Sequence, residues 1–238
     1  AVIDNTNDVD WVDGCPSQGS GWTDITADVL ATRAYNHEKG ISGTGPAALV
    51  ANAGRMELYL NNDATNSGSK DGYYSPDHTN VRDGFKKGAA LRVTYTYSGT
   101  TKYGWRGKIY DIAPDASTYL PYTRVLAYDW MKEASERKIP ALTVNTNQRG
   151  DQVIDTVVDG LGVTHRPSER SFDVGEGTFP TVFDTERDEK TTCMTVFQKV
   201  CQSELGKVYV NGGTQGEQLI FEDRHHAVDE TAIQYDFD

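Results

Sequence analysis

No apolar run in the chain approaches the ~20 residues that a membrane-spanning helix needs. Cysteine is scarce: Cys15, Cys193 and Cys201 form an odd, widely spaced set, which argues against a disulfide framework and favours synthesis in a reducing compartment. Cys193 and Cys201 are eight positions apart on an expected helix, about 12 Å along its axis, so they cannot bridge within it. They read as two small buried hydrophobes. Basic surface is also lacking. The net charge is −12, and the nearest thing to a basic run is Lys86-Lys87, too short for a free nucleic-acid binder. The acidity serves solubility, or a surface that must not stick to DNA. No G-x-S-x-G elbow and no H-E-x-x-H helix is present. The N-terminus, AVIDNTNDVDWVDG, is acidic and polar and does not read as a signal peptide.

What is abundant is sheet material. Thirteen tyrosines and 23 glycines suit twisted strands and tight turns in a chain of 238 residues, long enough for one large or two modest domains. Residues 1–20 are rich in Asn, Asp, Gly, Pro and Ser, with Val9, Trp11 and Val12 as apolar anchors. They are expected to form an extended arm laid along a partner or left disordered. From residue 21 the pattern changes. Met56, Leu58 and Leu60 alternate with Arg55, Glu57 and Tyr59, as a half-buried strand requires. Residues 62–76 read as a polar loop. A second alternation covers 89–97, Ser98-Gly99 makes a hairpin-type turn into 102–112, and another strand spans 122–128. Strands joined by turns, with no long helix between them, imply an antiparallel barrel or sandwich.

After Asp129 the period changes. Helices are expected over 130–136, over 152–161 with Gly160 and Gly162 as stop signals, and over 192–205. Thr191 or Thr192 caps the last of these, Met194, Phe197, Cys201 and Leu205 form its stripe, and Gly206 ends it. Two strands, 207–211 and 218–222, follow. The expected fold class is therefore mainly β with α+β content. Residues 21–130 form the β domain and 131–238 a smaller α+β domain.

In order, Trp22-Thr-Asp-Ile-Thr-Ala-Asp-Val-Leu30, Gly54-Arg-Met-Glu-Leu-Tyr-Leu-Asn-Asn62, the Gly72-to-Pro76 loop end and Trp105-Arg-Gly-Lys-Ile109 resemble the tail-tip hub and minor tail proteins of long-tailed bacteriophages. Ser203-Glu-Leu-Gly-Lys-Val-Tyr-Val210 and Leu219-Ile-Phe-Glu-Asp-Arg224 extend the resemblance, which runs over residues 21–226. It implies a tube-like antiparallel β-barrel domain followed by a smaller α/β domain. The implied role is virion assembly: a homo-oligomeric ring, trimer or hexamer, around the distal tail channel at the tail tip, linking the tail tube to distal tail or fibre proteins. DNA would pass through without specific binding, and the host cytoplasm would be the place of synthesis. Many such hubs carry a second barrel beyond the final hairpin. A two-barrel subunit closes a pseudo-sixfold ring from three chains, and a one-barrel subunit needs six.

The residues offer several other chemistries. His225-His226 beside Asp223 suggests a metal site, but further ligands are not adjacent, and a solvated strand end is the plainer reading. Asn61, Asn62, Asp63, Asn66 and Asp71 offer calcium-type oxygens without the spacing of the best-known loop. Gly43-Thr-Gly-Pro46 and Gly175-Glu-Gly177 lack the Lys-Ser/Thr of a phosphate cradle. Tyr95, Tyr97, Tyr103, Trp105 and Tyr110 could line a sugar-binding face, which makes a carbohydrate-binding β-module the alternative function, or could pack across strands. A hydrolase built on an unrecognised carboxylate pair ranks below both. No catalytic, cofactor-binding or metal-ligating residue is assigned, no cofactor is expected, and the chain is expected not to be an enzyme.

Overall fold

The computed structural model describes residues 6–12 (backbone only), 22–33, 36–42, 48–115, 121–184, 190–214 and 216–226. Its largest element is a seven-stranded antiparallel sheet curled into a half-barrel. The strands are β1 (Thr6–Val12), β2 (Trp22–Asp24), β3 (Asn36–Glu38), β4 (Arg55–Asn61), β5 (Ala90–Tyr97), β6 (Thr100–Asp115) and β7 (Tyr122–Tyr128), in the order β2-β1-β5-β6-β7-β4-β3. The mainly-β, α+β architecture is as expected. The arm is not wholly free: its residues 6–12 pair with β5 on one side and β2 on the other. Its alternation of Val9, Trp11 and polar residues is strand-compatible, and β5 offers an edge to receive it.

Alternation decides which face of the sheet is buried. Met56, Leu58 and Leu60 of β4, Leu91 and Val93 of β5, Trp105 and Ile109 of β6, and Val125 and Ala127 of β7 all turn inward. Ser98 and Gly99 both take positive φ, which suits the tight β5–β6 hairpin. Two bulges break the ladder. Gly104 is the extra residue between the Val93–Trp105 and Thr94–Tyr103 pairs; a side chain there would enter the Tyr95 ring. Tyr110 is the extra residue between the Ile109–Ala127 and Asp111–Leu126 pairs, and it is half exposed.

The inner face is closed by the long connection between β4 and β5. Tyr74 and Phe85 from that connection sit edge to face, 5.2 Å between ring centres, inside the sheet's apolar cluster. The segment expected to be a polar loop is thus also the plug of the half-barrel. Asp28, on the short 3-10 turn Thr26–Asp28, holds it in place. The Asp28 carboxylate accepts hydrogen bonds from Ser67 N (2.7 Å), Ser67 Oγ (2.5 Å) and the Tyr74 hydroxyl (2.5 Å).

A second apolar cluster belongs to the helical layer. It is built from α1 (Trp130–Glu136), α2 (Gly150–Gly160), α3 (Cys193–Glu204) and the sheet β11-β12-β9, in which β11 is Lys207–Asn211, β12 is Gln218–Glu222 and β9 is Glu169–Phe172. A separate two-stranded pair joins β8 (Asn145–Arg149) to β10 (Thr178–Val182). Strands β8, β9 and β10 were not expected, because their residues are polar and show no clean alternation. Thr192 caps α3 as expected. Two expected helix ends differ. Gly160 lies within α2 and Gly162 keeps a negative φ, so neither makes a left-handed stop. At the end of α3, Leu205 rather than Gly206 takes the left-handed conformation, and its side chain points out at 60% exposure instead of joining the stripe. Cys193 and Cys201 are free and buried, and burial pushes both thiols up to about 12.

Candidate functional site: sheet edges and the layer junction

Two features could carry function: the open edges of the half-barrel and the junction where the sheet meets the helical layer. The edges are β2 and β3, three residues each. Among the described residues no further strand pairs with either, which leaves backbone donors and acceptors at both margins, and short edges limit indiscriminate pairing. Beside the β3 edge, a recess of about 380 Å³ is lined by Arg33, Asn36, Glu38, Arg55, Glu57 and Tyr59. Arg33 lies over the Tyr122 ring, 3.7 Å from its centre, and so carries its charge on an aromatic base. On the face opposite the core, Arg55, Arg92, Lys108 and Arg124 stand with Glu57 and Asp111. The acid excess of the chain is therefore not concentrated on that face.

At the junction, a cleft of about 1010 Å³ lies between β6–β7 and the segment 163–170; Arg106, Lys108, Tyr110, Asp129, Arg166 and Glu217 are among its lining residues. Only Asp129 separates β7 from α1. Its carboxylate caps α1 by accepting from Met131 N (3.0 Å), while its own N–H donates to Gly54 O (2.9 Å). Burial drives the Asp129 pKa up to about 7. Glu217 adds to the rise, and the N–H groups of Gly54 and Met131, with Lys39, oppose it. Glu217, also buried, is raised first by burial and held back by Arg106 and Lys108. Burial lowers Arg106 and Lys39. The Lys39 ammonium bridges the layers, donating to Gly104 O (2.7 Å) on β6 and Asn211 Oδ1 (3.3 Å) on β11.

A second ionic centre sits at the cleft rim. Glu133 on α1 receives Lys108 (3.0 Å) from β6 and Arg137 (3.0 Å), with His165 Nδ1 3.3 Å away. Burial favours its protonated form, but Lys108 and Arg137 outweigh burial and hold the carboxyl below its usual range. Trp130 Nε1 donates to His165 O (2.8 Å) and packs against Phe197, which ties the start of α1 to the helical core.

The chemistries suggested by the sequence resolve as follows. His226 is clamped between Asp173 (2.7 Å) and Glu222 (3.3 Å). His225 is exposed, and its backbone N–H donates to Asp223. The strand end is thus held by side-chain contacts to carboxylates rather than simply solvated, and no three-ligand metal cluster occurs among the described residues. Asn61, Asp63 and Asn66 direct their side chains into the loop's own backbone and Thr65. Asn62 bonds Ser75 Oγ and Tyr74 N, and Asp71 is exposed. The N–H groups of Glu176 and Gly177 do form an anion nest, but the occupant is the Glu204 carboxylate of α3, at 3.0–3.1 Å. Gly43–Pro46 lies outside the described residues. The five aromatics share no platform. Trp105 is core and Tyr95 packs against the core, while Tyr103 lies beside Arg92. The two exposed ones, Tyr97 and Tyr110, are about 30 Å apart along the hairpin at ~3.3 Å per residue.

No known protein family's sequence profile matches the chain, and no curated protein matches it in sequence. Its fold does match solved structures. The 43 kDa tail protein of prophage MuSo2 from Shewanella oneidensis aligns over 92% of this chain and 54% of its own, at 13% identity and a TM-score of 0.57. A tail protein from Neisseria meningitidis MC58 aligns over 91% of this chain and 51% of its own, at 9% identity and a TM-score of 0.54. A chain of the lidded Francisella PdpA–VgrG complex aligns over 98% of this chain and 31% of its own, at 7% identity and a TM-score of 0.51. The chain thus spans about half the length, or less, of the structures it matches. The chain therefore has the fold of these phage tail proteins.

Proposed function

We propose that the chain is a structural protein of a phage tail tip or baseplate hub, and that it acts by assembly rather than catalysis. The observation that carries this reading is the fold shared with two tail proteins over more than nine-tenths of the chain. The half-barrel with two open, short edges supports it, because neighbouring copies can satisfy the edge groups in a cyclic arrangement of heterologous contacts. The ring of three or six copies surrounds the tail channel and joins the tail tube to distal tail or fibre components. The virion tail tip is its location. DNA passes through without specific binding, a reading supported by the net charge of −12. A lumen lined mainly by Lys and Arg would refute that last element.

Light scattering and electron microscopy of the purified chain, alone and with tail-tube protein, test the reading. Rings of three or six that bind tube protein are expected. A monomer of 26.3 kDa at all concentrations, inert toward tube protein, would overturn it.

A further inference from the structure

Asn211 is followed by glycine, the sole Asn-Gly pair in the sequence. It is the last residue of β11, paired with Gln218, and it is exposed. Glycine is required after it. A Cβ on Gly212 would lie 2.3 Å from the Tyr103 carbonyl oxygen of β6, and Gly213 takes a φ of 55° to make the turn. The Gly212 N–H, unshielded by a side chain, donates to Asn211 Oδ1 (2.7 Å). That contact holds a backbone nitrogen against the side-chain amide with which it can close a five-membered ring.

The same amide oxygen takes a second donor. Lys39 Nζ donates to Asn211 Oδ1 (3.3 Å) and to Gly104 O (2.7 Å). Both oxygens are neutral, and Asp129, an acid that acts on Lys39, is already engaged at the α1 cap. An ammonium held by neutral oxygens gains Coulomb attraction when one of them becomes a carboxylate. As a donor to the amide carbonyl, Lys39 also draws electrons from Cγ and stabilises the negative charge that develops on Oδ1 when Cγ is attacked.

We propose that Asn211 is a self-modification site: it converts spontaneously to aspartate, and the new carboxylate pairs with Lys39 and tightens the contact between the helical layer and the half-barrel. In the first step Gly212 N gives its proton to solvent and attacks Asn211 Cγ. The Cγ–Nδ2 bond breaks, and the amide nitrogen takes a proton from solvent and leaves as ammonia. A cyclic imide remains. Water then adds to one of the two ring carbonyls, the bond from that carbon to Gly212 N breaks, and the nitrogen takes back a proton. Addition at Cγ restores the normal backbone with an aspartate side chain. Addition at the backbone carbonyl routes the chain through the side chain as isoaspartate. The net change is one water consumed and one ammonia released. Lys39 polarises the Cγ carbonyl in both steps, so it directs water to Cγ, and the carboxylate forms where the ammonium stands. Isoaspartate would insert a methylene into the backbone at the Asn211–Gln218 pair, which the β11–β12 ladder opposes.

Peptide mapping by mass spectrometry tests this on the full chain, stored folded at neutral pH and then digested under mildly acidic conditions. Asn211 is expected to convert ahead of every other asparagine, with aspartate as the main product. The same chain stored in urea should give mainly isoaspartate. Lys39→Met should shift the folded product toward isoaspartate, and Lys39→Arg, which keeps a cationic donor, should retain aspartate. Asn211→Asp supplies the product directly. It should slow hydrogen exchange in peptides covering 100–106 and 207–212 about threefold, the size of an exposed ion pair, and Lys39→Met should cancel that gain. The comparison is made between variants whose exchange in the α3 peptide, residues 193–204, matches wild type. A folded chain that keeps Asn211 intact while the chain in urea converts it would overturn the proposal. So would isoaspartate as the main product of the folded wild type, or a product ratio that Lys39→Met leaves unchanged. Exchange unaltered by Asn211→Asp would sink the tightening.

Discussion

Substituting Asp28 by alanine tests whether the half-barrel depends on its plug. The carboxylate is 2% exposed and accepts three hydrogen bonds, two from Ser67 and one from the Tyr74 hydroxyl, while Arg82 Nη1 donates to that same hydroxyl (3.1 Å). Tyr74 is fully buried, so a phenol stripped of its acceptor has no water to turn to. Burial, followed by the bond to Asp28, raises the Tyr74 pKa well above its usual value, which keeps the hydroxyl a donor at every working pH. Hydrogen bonds to a charged partner contribute about 1.5–3 kcal/mol each, and losing one member of a buried charged network costs about 3–5 kcal/mol. Asp28→Ala should therefore destabilise the chain by about 3–5 kcal/mol. At about 2–4 °C per kcal/mol for a chain of this size, Tm should fall by roughly 10 °C. Tyr74→Phe keeps the ring contacts with Phe85 and Tyr73 and should cost about 1–2 kcal/mol. The double variant should show a coupling of at least about 1 kcal/mol, since the two groups share one bond. Urea unfolding of the four proteins measures all of these quantities. A loss below about 1 kcal/mol for Asp28→Ala, or strict additivity, would refute the view that this carboxylate pins the plug.

Four further outcomes follow from the same structure. Stability should fall as pH rises from about 4 to about 7, by up to about 4 kcal/mol at ~1.4 kcal/mol per unit, because the folded chain holds the Asp129 proton that the unfolded chain releases; thermal melts of wild type and Asp129→Asn across this range should differ in slope. Glu133 and Asp151, both held below their usual range, act in the opposite sense and weaken the fold only as pH drops below about 4, so a stability maximum is expected on the acid side of neutrality. Gly107→Ala should cost about 3 kcal/mol in chemical unfolding, since the added Cβ would sit 2.1 Å from the Tyr128 carbonyl oxygen, a backbone atom fixed by the β6–β7 ladder. Leu205→Gly should stabilise the chain by about 1 kcal/mol in the same assay, because an exposed leucine held at a φ of 55° gains little from burial and suffers the left-handed penalty.

Periodicity located much of this fold because most of the half-barrel buries one face only. A strand such as Arg55–Asn61 writes that fact directly into its alternation, and α3 writes its buried face into the spacing of Phe197, Val200 and Cys201. The strands β8, β9 and β10 left no such mark, since they are mostly partly exposed and are held by pairing rather than by a buried face. The plug was hidden for a related reason. Residues 62–88 are polar in bulk, and their structural meaning rests on Tyr74 and Phe85 alone. The junction was half legible. Asp129 before Trp130-Met-Lys-Glu-Ala has the look of an N-cap, and it is one. Its burial, and its meeting with Lys39, Gly54 and Glu217, depend on contacts between residues up to 90 positions apart, which no local pattern encodes.

The two candidate features point in one direction when their energetics are compared. Among the contacts that join the helical layer to the sheet are the Lys39 bridge, the Lys108–Glu133 pair, the Lys108 bond to Thr164 O, the Asp129 cap and the pairing of Leu49 and Ala51 with Val208. Each layer has its own apolar cluster, and that of the helical layer takes in Ala51, with Leu49 and Val50 packed against it, from the segment that leads into β4. A joint carried largely by polar contacts and a short apolar segment is more open to small changes of angle than a fused core is. On the proposed reading, that matters where a subunit must fit a ring on one side and other tail components on the other. On that reading the half-barrel edges would set the ring, and a polar joint would let the two sides be satisfied separately. Replacing Lys108 and Glu133 together by methionine and leucine should then stiffen or skew the joint without melting either core. Rings should assemble less uniformly, while the Tm falls by no more than a few degrees. Uniform rings from that variant, or a collapse of its Tm, would break this account of the joint.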